Sequence, residues 1–363
     1  MKKPRRTRVL GLTAAFVASA AVLGTALPAH AVTTPAAKHA MNAAAAWLRG
    51  QLDGGLLQYG GGYGDNYGSS IDAALQLAAT GHGAAAERIA NAVEADNASA
   101  YTDSSYDGVT TRSAGGVAKA LVLAEVMQDA DVPTLVGELE PLVGSNGQIA
   151  DDATEDGAPD PDDDYANVIG QAYTVWGLSV ADPGSTATTD ATTFLLSQQC
   201  GDGAFPTYFD TSGKTPVTCT TKTRSVDTTA TVLLALENLP TSAAVTRAEN
   251  EALKFLTTSQ TASGGFSQTG VAKGVDANST GLAGWVLGIA GRQAAATKAA
   301  SWLVAHQVPE SATGRLAAVR GAIEYDPATL AAAKKKGWKA AQDQWVVATS
   351  QCVAALAYAP KAH

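Results

Sequence analysis

The sequence predicts an all-α protein, an (α/α)6 toroid of six helical hairpins with an inner ring of small-residue helices. Three observations predict it. A turn occurs twice, as Phe194-Leu-Leu-Ser-Gln-Gln-Cys-Gly-Asp-Gly-Ala-Phe205 and Phe255-Leu-Thr-Thr-Ser-Gln-Thr-Ala-Ser-Gly-Gly-Phe266, with aromatic-Leu, Ser-Gln, Gly and the closing Phe in the same places. Each copy leads, through a loop of its own length, into Val-Asp and a helix of small residues, at Val226-Asp227 and Val275-Asp276, so a whole helix-turn-loop-helix unit is repeated. Lastly, the helices alternate between amphipathic ones and nearly uncharged ones rich in Ala, Gly, Ser and Thr. A helix that is apolar or small all round is a buried helix. Six such helices inside six amphipathic ones describe a closed barrel; an open solenoid would show a surface-facing second helix.

In chain order, Lys2, Lys3, Arg5, Arg6 and Arg8 precede an apolar run from Val9 to about Leu27 and then Ala29-His30-Ala31. That is the pattern of a secretory signal peptide cleaved after Ala31, leaving 32–363 as a single domain. The first helix is expected over 36–51, with Met41, Ala45 and Leu48 on one stripe. A Gly/Tyr-rich loop, 59–67, leads to a helix capped by Ser69 or Ser70 and running to Ala79. Helices follow at 84–93, from Ser113 through 126, and from Pro133 to about Val143. The acidic loop 151–164 opens into 165–178; the pairs 186–199 with 228–236 and 243–260 with 277–288 carry the repeat, and 292–307 ends in a third aromatic-Leu-x-x-x-Gln. A long loop with a short basic helix near 330–339 precedes the closing helix, 344–357.

Removing the leader takes away five cations and no acid, moving the formal charge from −9 to about −14. An acidic surface argues against nucleic acid and anionic membranes as partners. No second apolar segment is long enough to span a bilayer, and the chain is expected to be extracellular and monomeric. In an oxidising compartment Cys200 and Cys219, which flank one loop, are expected to pair, for about 3 kcal/mol. Cys352 lies in an apolar run with no His nearby to activate it and is expected to be a buried small hydrophobe.

These residues resemble the repeat of the terpenoid cyclase and protein prenyltransferase superfamily, including its squalene-cyclase-like members. The cyclases carry turns of Gln-x-x-x-Gly-x-aromatic type, matched by Gln199–Phe205 and Gln260–Phe266 and in part by Gln51–Leu56 and Gln307. Ser225-Val-Asp-Thr-Thr-Ala and Asn278-Ser-Thr-Gly-Leu-Ala resemble the inner helices of the family. The resemblance implies the α/α toroid over nearly the whole mature chain. It leaves function open, because the same toroid serves cyclases, zinc prenyltransferases, cobalamin carriers and thioester domains. The turn itself has a physical reason to recur: a Gln at a helix C-terminus can bond unpaired carbonyls, Gly permits the left-handed reversal, and Phe packs back over the outer helix.

The zinc chemistry of the prenyltransferases is not matched. Asp227 and Asp276 begin inner helices but have no Cys two residues on, and His39, His82, His306 and His363 are not spaced as paired ligands. A class II terpene cyclase needs the central acid of an Asp-x-Asp-Asp motif as proton donor, and Asp160-Pro161-Asp162-Asp163 supplies those letters. In the family that motif runs straight into Thr-Ala; here it continues into Asp164-Tyr165, while Asp227-Thr-Thr-Ala keeps the Thr-Ala and lacks the other acids. No cofactor is expected, save that Asp160, Asp162 and Asp164 alternate as ligands to one calcium ion could. Asp65, Asp107, Asp202, Asp210, Glu324 and Asp326 lie on connecting loops, where two carboxylates could act on a polysaccharide. The reading that requires least is a non-catalytic one: a small-molecule or surface ligand held at the barrel mouth by Tyr63, Tyr67, Tyr106, Tyr165, Trp176, Trp285 and Trp345. Against it, the three tryptophans are also suited to filling the barrel.

Overall fold

The computed structural model describes residues 34–360 apart from 96–97, 107, 156–157, 211–216 and 271–273. The leader, Asp107 and His363 therefore lie outside the described residues. The helices are α1 (Pro35–Gly50), α2 (Tyr67–Ala79), α3 (Gly83–Val93), the single turn α4 (Ser99–Thr102), α5 (Ala114–Met127), α6 (Val132–Leu139) and α7 (Val168–Ala181). They continue as α8 (Thr186–Ser197), α9 (Val226–Leu236), α10 (Ala243–Ser259), α11 (Ala277–Ile289), α12 (Gln293–Ala305), α13 (Pro327–Lys336) and α14 (Gln342–Ser350). Contacts run from α2 to α5, α7, α9, α11 and α14 in turn, and α14 returns to α2. The inner helices thus close an α/α toroid, as the charge-poor segments predict.

Small residues set the spacing of that ring. A Cβ on Gly170 of α7 would lie 3.0 Å from the Gly115 Cα of α5, so these two helices touch backbone to backbone. The caps differ from expectation in two places. Asn66 rather than a serine caps α2, its Oδ1 accepting from the Ser69 N–H at 3.0 Å. Asn167 caps α7, accepting from the Ile169 and Gly170 N–H groups, so the helix begins past Tyr165. The expected closing helix stops at Ser350 and resumes only as a 3-10 turn, Ala355–Tyr358.

The repeated turn is a staple between units, its Gln bonding carbonyls of the turn and of the next outer helix. Gln199 Nε2 donates to the Gly203 carbonyl within the turn (3.1 Å) and to the Ala248 carbonyl of the following outer helix, α10 (2.9 Å). Gln260 does the same to Gly264 and to Ala295 of α12, both at 2.9 Å. Gln307 bonds Gly321 and, across the ends of the chain, Ala40 of α1. Before α7 a different residue fills the role: Gln171, from the inner helix, donates to Gly147 and to Ala191 of α8. Gly147, Gly203, Gly264 and Gly321 have φ of 83, 90, 98 and 83°. A Cβ at any of them would collide with a backbone carbonyl of the next outer helix. The residue after the turn then bonds the coming inner helix: the Phe205 and Phe266 N–H groups donate to the Thr229 and Thr280 hydroxyls, each at 2.9 Å. Phe205 and Phe266 are wholly buried.

Two loops read as irregular in sequence pair into one antiparallel sheet, β1 (Asp103–Tyr106), β2 (Val109–Arg112), β3 (Asp152–Glu155) and β4 (Ala158–Pro159), in that order. Val109 faces Glu155 and Arg112 faces Asp152 across the central pair. Arg112 Nε also bonds Asp103 at 2.8 Å. The sheet ties the loop before α5 to the acidic loop before α7.

Candidate functional site at the long-loop end

The toroid has two unlike ends. Where inner helices finish, short turns, 80–82, 128–131, 182–185, 237–242 and 290–292, return the chain to an outer helix. Where inner helices start, the connections 51–66, 94–113, 143–167, 198–225, 260–276 and 306–341 are long. At this end the helix N-termini present unpaired N–H groups and partial positive charge. Asn66, Ser113, Asn167, Ser225 and Asp276 cap them.

Aromatic side chains cluster on the same end. Tyr63, Tyr106, Tyr208 and Tyr165 are 87, 85, 76 and 71% exposed, and each stands on a different long connection. Tyr165 donates its hydroxyl to Asp163 at 3.1 Å. Tyr67 is only partly exposed and stacks on Tyr101 at 5.9 Å. A groove of about 400 Å³ beside Tyr63 is walled by Gly60, Gly61, Lys339, Gln342 and Asp343. A second, of about 430 Å³, lies beside Tyr208 with Phe209, Val217, Thr218 and Lys222. Cys219, at its edge, is bonded to Cys200 with the Cα atoms 5.5 Å apart.

Inside the ring the picture reverses. Trp176, Trp285 and Trp345 are buried, so the expected place for them at an open mouth is not met; they fill the barrel. Trp176 and Trp285 bound a narrow axial cavity of about 20 Å³ with Tyr173, Leu234, Leu282 and Gln351. That is room for about one water molecule. Beside it Asp72 of α2 pairs with Lys119 of α5 at 2.6 Å, both side chains 13% exposed. Gln351 Nε2 donates to the other Asp72 oxygen at 2.8 Å, and Lys119 also donates to the Gly68 carbonyl. Burial works against the Lys119 charge, but Asp72 outweighs it, with smaller help from Tyr173 and Tyr101, and the ammonium pKa rises above its ordinary value.

Between α9 and α11 lies a second polar group. Asn278 Nδ2 donates to Asp227 Oδ2 at 3.1 Å, while Asp227 Oδ1 is buried without a partner. Burial first, then the nearby Asp276, pushes the Asp227 pKa to about 7, with partial relief from Ser279 and Asn278. Asp276 itself is raised by burial and caps α11. Tyr325 is pushed to about 12 by burial and then by Asp276, Asp227 and Asp326. Glu324 is raised to about 7, mainly by burial.

The acidic motif stands apart from both groups, on the rim. Asp160 Oδ1 accepts from the Asp162 N–H, and Asp164 Oδ1 from the N–H groups of Asp151 and Ala166. Asp162 and Asp164 are exposed. These carboxylates tie a turn instead of converging on one point. Among the described residues no three acidic, His or Cys side chains are grouped to hold a metal ion. Of the loop carboxylates, the Asp326 charge acts on both Asp276 and Glu324, and Glu324 lies 3.9 Å from His306; Asp202 is paired with Arg224 at 3.0 Å and Asp65 accepts from Gln58. Cys352 is buried, its thiol raised by burial and donating to the Ala277 carbonyl. Sequence reasoning missed the Asp72–Lys119–Gln351 group. The only signal was a charge inside an inner helix, Asp72 alone in α2 and Lys119 with Glu125 in α5.

No protein-family model matches the chain, and no curated protein matches it. Solved structures do. The type II terpene cyclase MstE from Scytonema superposes with a TM-score of 0.57 at 17% identity, over 88% of this chain and 97% of that one. A protein from Actinoplanes gives 0.56 at 17%, over 89% and 99%. A possible member of the GH105 family from Salmonella enterica gives 0.55 at 14%, over 89% and 93%. The chain therefore shares the α/α toroid fold of these structures. Identities this low establish the fold alone. Among the described residues no helix is long and apolar enough to cross a membrane.

Proposed function

We propose that this protein binds a ligand at its long-loop end without transforming it. One observation carries the reading: the four most exposed aromatic side chains among the described residues all stand on the long connections of that end. Exposed aromatics beside grooves favour binding, whereas an axis with room for about one water gives a polyprenyl chain no bed. The leader at 1–31 and the Cys200–Cys219 bridge support action outside the cytoplasm. Nothing in the site calls for a second copy, so the working form is a monomer. Native mass spectrometry of protein purified from its own host tests the reading. A ligand adduct is expected, and it should be absent from a variant with Tyr63, Tyr106, Tyr165 and Tyr208 replaced by Ala. An adduct that survives in that variant, or no adduct at all, would count against it.

A second reading, acid catalysis of the class II cyclase kind, is favoured by Asp227, which keeps its proton up to about pH 7 at the start of an inner helix. Asp160, Asp162 and Asp163 are the sequence's own candidates for that role. Incubation with polyprenyl substrates separates the acids: a cyclised product lost in Asp162→Asn favours the rim motif, one lost in Asp227→Asn favours the buried acid. Product from neither protein nor variant leaves binding alone.

A further inference from the structure

The chemistry of the tyrosine-bearing end narrows its ligand. Among the described residues every large hydrophobic side chain strongly exposed there is a tyrosine; the remaining exposed one, Val304, belongs to the outer helix α12. A protein-binding surface gathers Tyr, Trp, Phe, Met and Arg into one contiguous, well-packed patch. Here phenol rings stand on separate loops with polar groups between them. Asp65, Asp162 and Asp164 are exposed on these loops and disfavour polyanions such as nucleic acids and uronates, while Asp202 is neutralised by Arg224 and the grooves themselves hold Lys222 and Lys339. A neutral lipid would need a wide apolar channel, and the cavity between Trp176 and Trp285 has room for only about 20 Å³.

What remains is a ligand with apolar faces and many uncharged hydroxyls. A phenol ring offers a flat apolar face and a polar tip. A pyranose offers the complement, a C–H face ringed by hydroxyls that both donate and accept. The groove at Tyr63 is built in this sense. Gly61, at φ 74°, leaves only backbone beneath the Tyr63 ring, where a Cβ would lie 3.0 Å from Cε2. Asp343 Oδ1 accepts from the Gly60 N–H at 2.8 Å and Gln342 donates to the Gln58 carbonyl at 3.0 Å, fixing the wall. A carboxylate, an amide and an ammonium (Lys339) therefore surround a braced aromatic face. The groove at Tyr208 adds Thr207, Thr218 and Thr223 hydroxyls.

We propose that the long-loop end binds a neutral polysaccharide, its sugar rings stacking on Tyr63, Tyr106, Tyr165 and Tyr208. This rests on the binding reading of the same face and specifies its ligand. The four-loop spacing suits a chain better than a single sugar, since separate rings engage separate residues of one polymer.

Affinity electrophoresis of the full chain in gels containing soluble β-glucan, xyloglucan, glucomannan, amylose or dextran tests it, with alginate and heparin as polyanions. At least one neutral glycan is expected to retard the protein. The variant with all four tyrosines changed to Ala should lose tenfold or more in affinity with an unchanged melting temperature, and Tyr→Phe changes should retain most of the binding. Equal retardation of the Ala variant would overturn the assignment of this face. Retardation by polyanions alone would overturn the neutral class. Absence of retardation by every neutral glycan, beside a tyrosine-dependent adduct in native mass spectrometry, would overturn the glycan and leave the binding face standing. Absence of both would overturn the two together.

Discussion

The two ends of this toroid are made from the same helices and differ in nearly everything else. At one, connections such as 80–82 and 290–292 reverse the chain and contribute little beyond a glycine, Gly81 or Gly291, in the left-handed region. At the other, four of the six connections are stapled by a Gln to the next outer helix and pressed against it by a Gly, and two of these, with two that are not stapled, carry the exposed tyrosines. The difference shows how a repeat protein separates framework from function. Helix pairs and staples hold the ring, and the connections that lengthen at one end are free to vary in chemistry.

If the long-loop end is the constructed one, disturbing the groups beneath it should cost most. Lys119→Met strands the Asp72 carboxylate in the ring, a loss of about 3–5 kcal/mol by the usual cost of breaking a buried pair. Urea unfolding should show it as a lowered midpoint, and adding Asp72→Leu should recover part of the loss. A smaller contrast distinguishes the ends directly. Gly291→Ala at the short-turn end meets nothing within 4 Å and should cost only the left-handed strain, about 1–2 kcal/mol. Gly203→Ala adds a collision with the Glu251 carbonyl, so overpacking contributes about 1–3 kcal/mol more. Equal melting temperatures for the two variants would erase the distinction between stapled and plain turns.

Asp227 supplies a pH test. Its folded pKa of about 7 lies above the ordinary aspartate value of 3.8, so the folded state holds a proton that the unfolded chain releases first. Stability contributed by this group is present below about pH 4 and is lost as pH rises toward 7. Glu324 and Glu94, also raised to about 7, act in the same direction. Asp227→Asn should therefore flatten, without abolishing, the fall in melting temperature over that range. An unchanged slope would place the Asp227 carboxyl in water. The smallest effect is expected on the rim: millimolar calcium should leave the melting temperature unchanged, and an upward shift would identify Asp160, Asp162 and Asp164 as ligands.

Much of the framework was legible because it is periodic. The alternation of charged and charge-free helices gave the ring, and the recurrence of Gln, Gly and Phe gave the turn. The partner of the Gln was not legible, because Ala248, Ala295 and Ala40 accept through backbone carbonyls, which leave no mark on side-chain identity. Gln171 hides further, since it serves the same staple from an inner helix. The sheet over 103–159 was missed because its strands are short, polar and largely exposed, and its central pairing joins loops separated by α5 and α6. The rim tyrosines could be named from their loops. The tryptophans could not be placed, for their helices read equally well as wall or filling until burial decided it.

The bond from Gln307 to Ala40 spans 267 residues of chain. Its consequence is one of timing. During synthesis every other staple forms once the next outer helix has emerged, but α1 must wait for the last turn before its inner flank is covered. Closing contacts so distant in sequence is slow, and open flanks are prone to association. The first hairpin is thus the part of this molecule exposed longest, and the ring becomes a ring only when its final unit arrives.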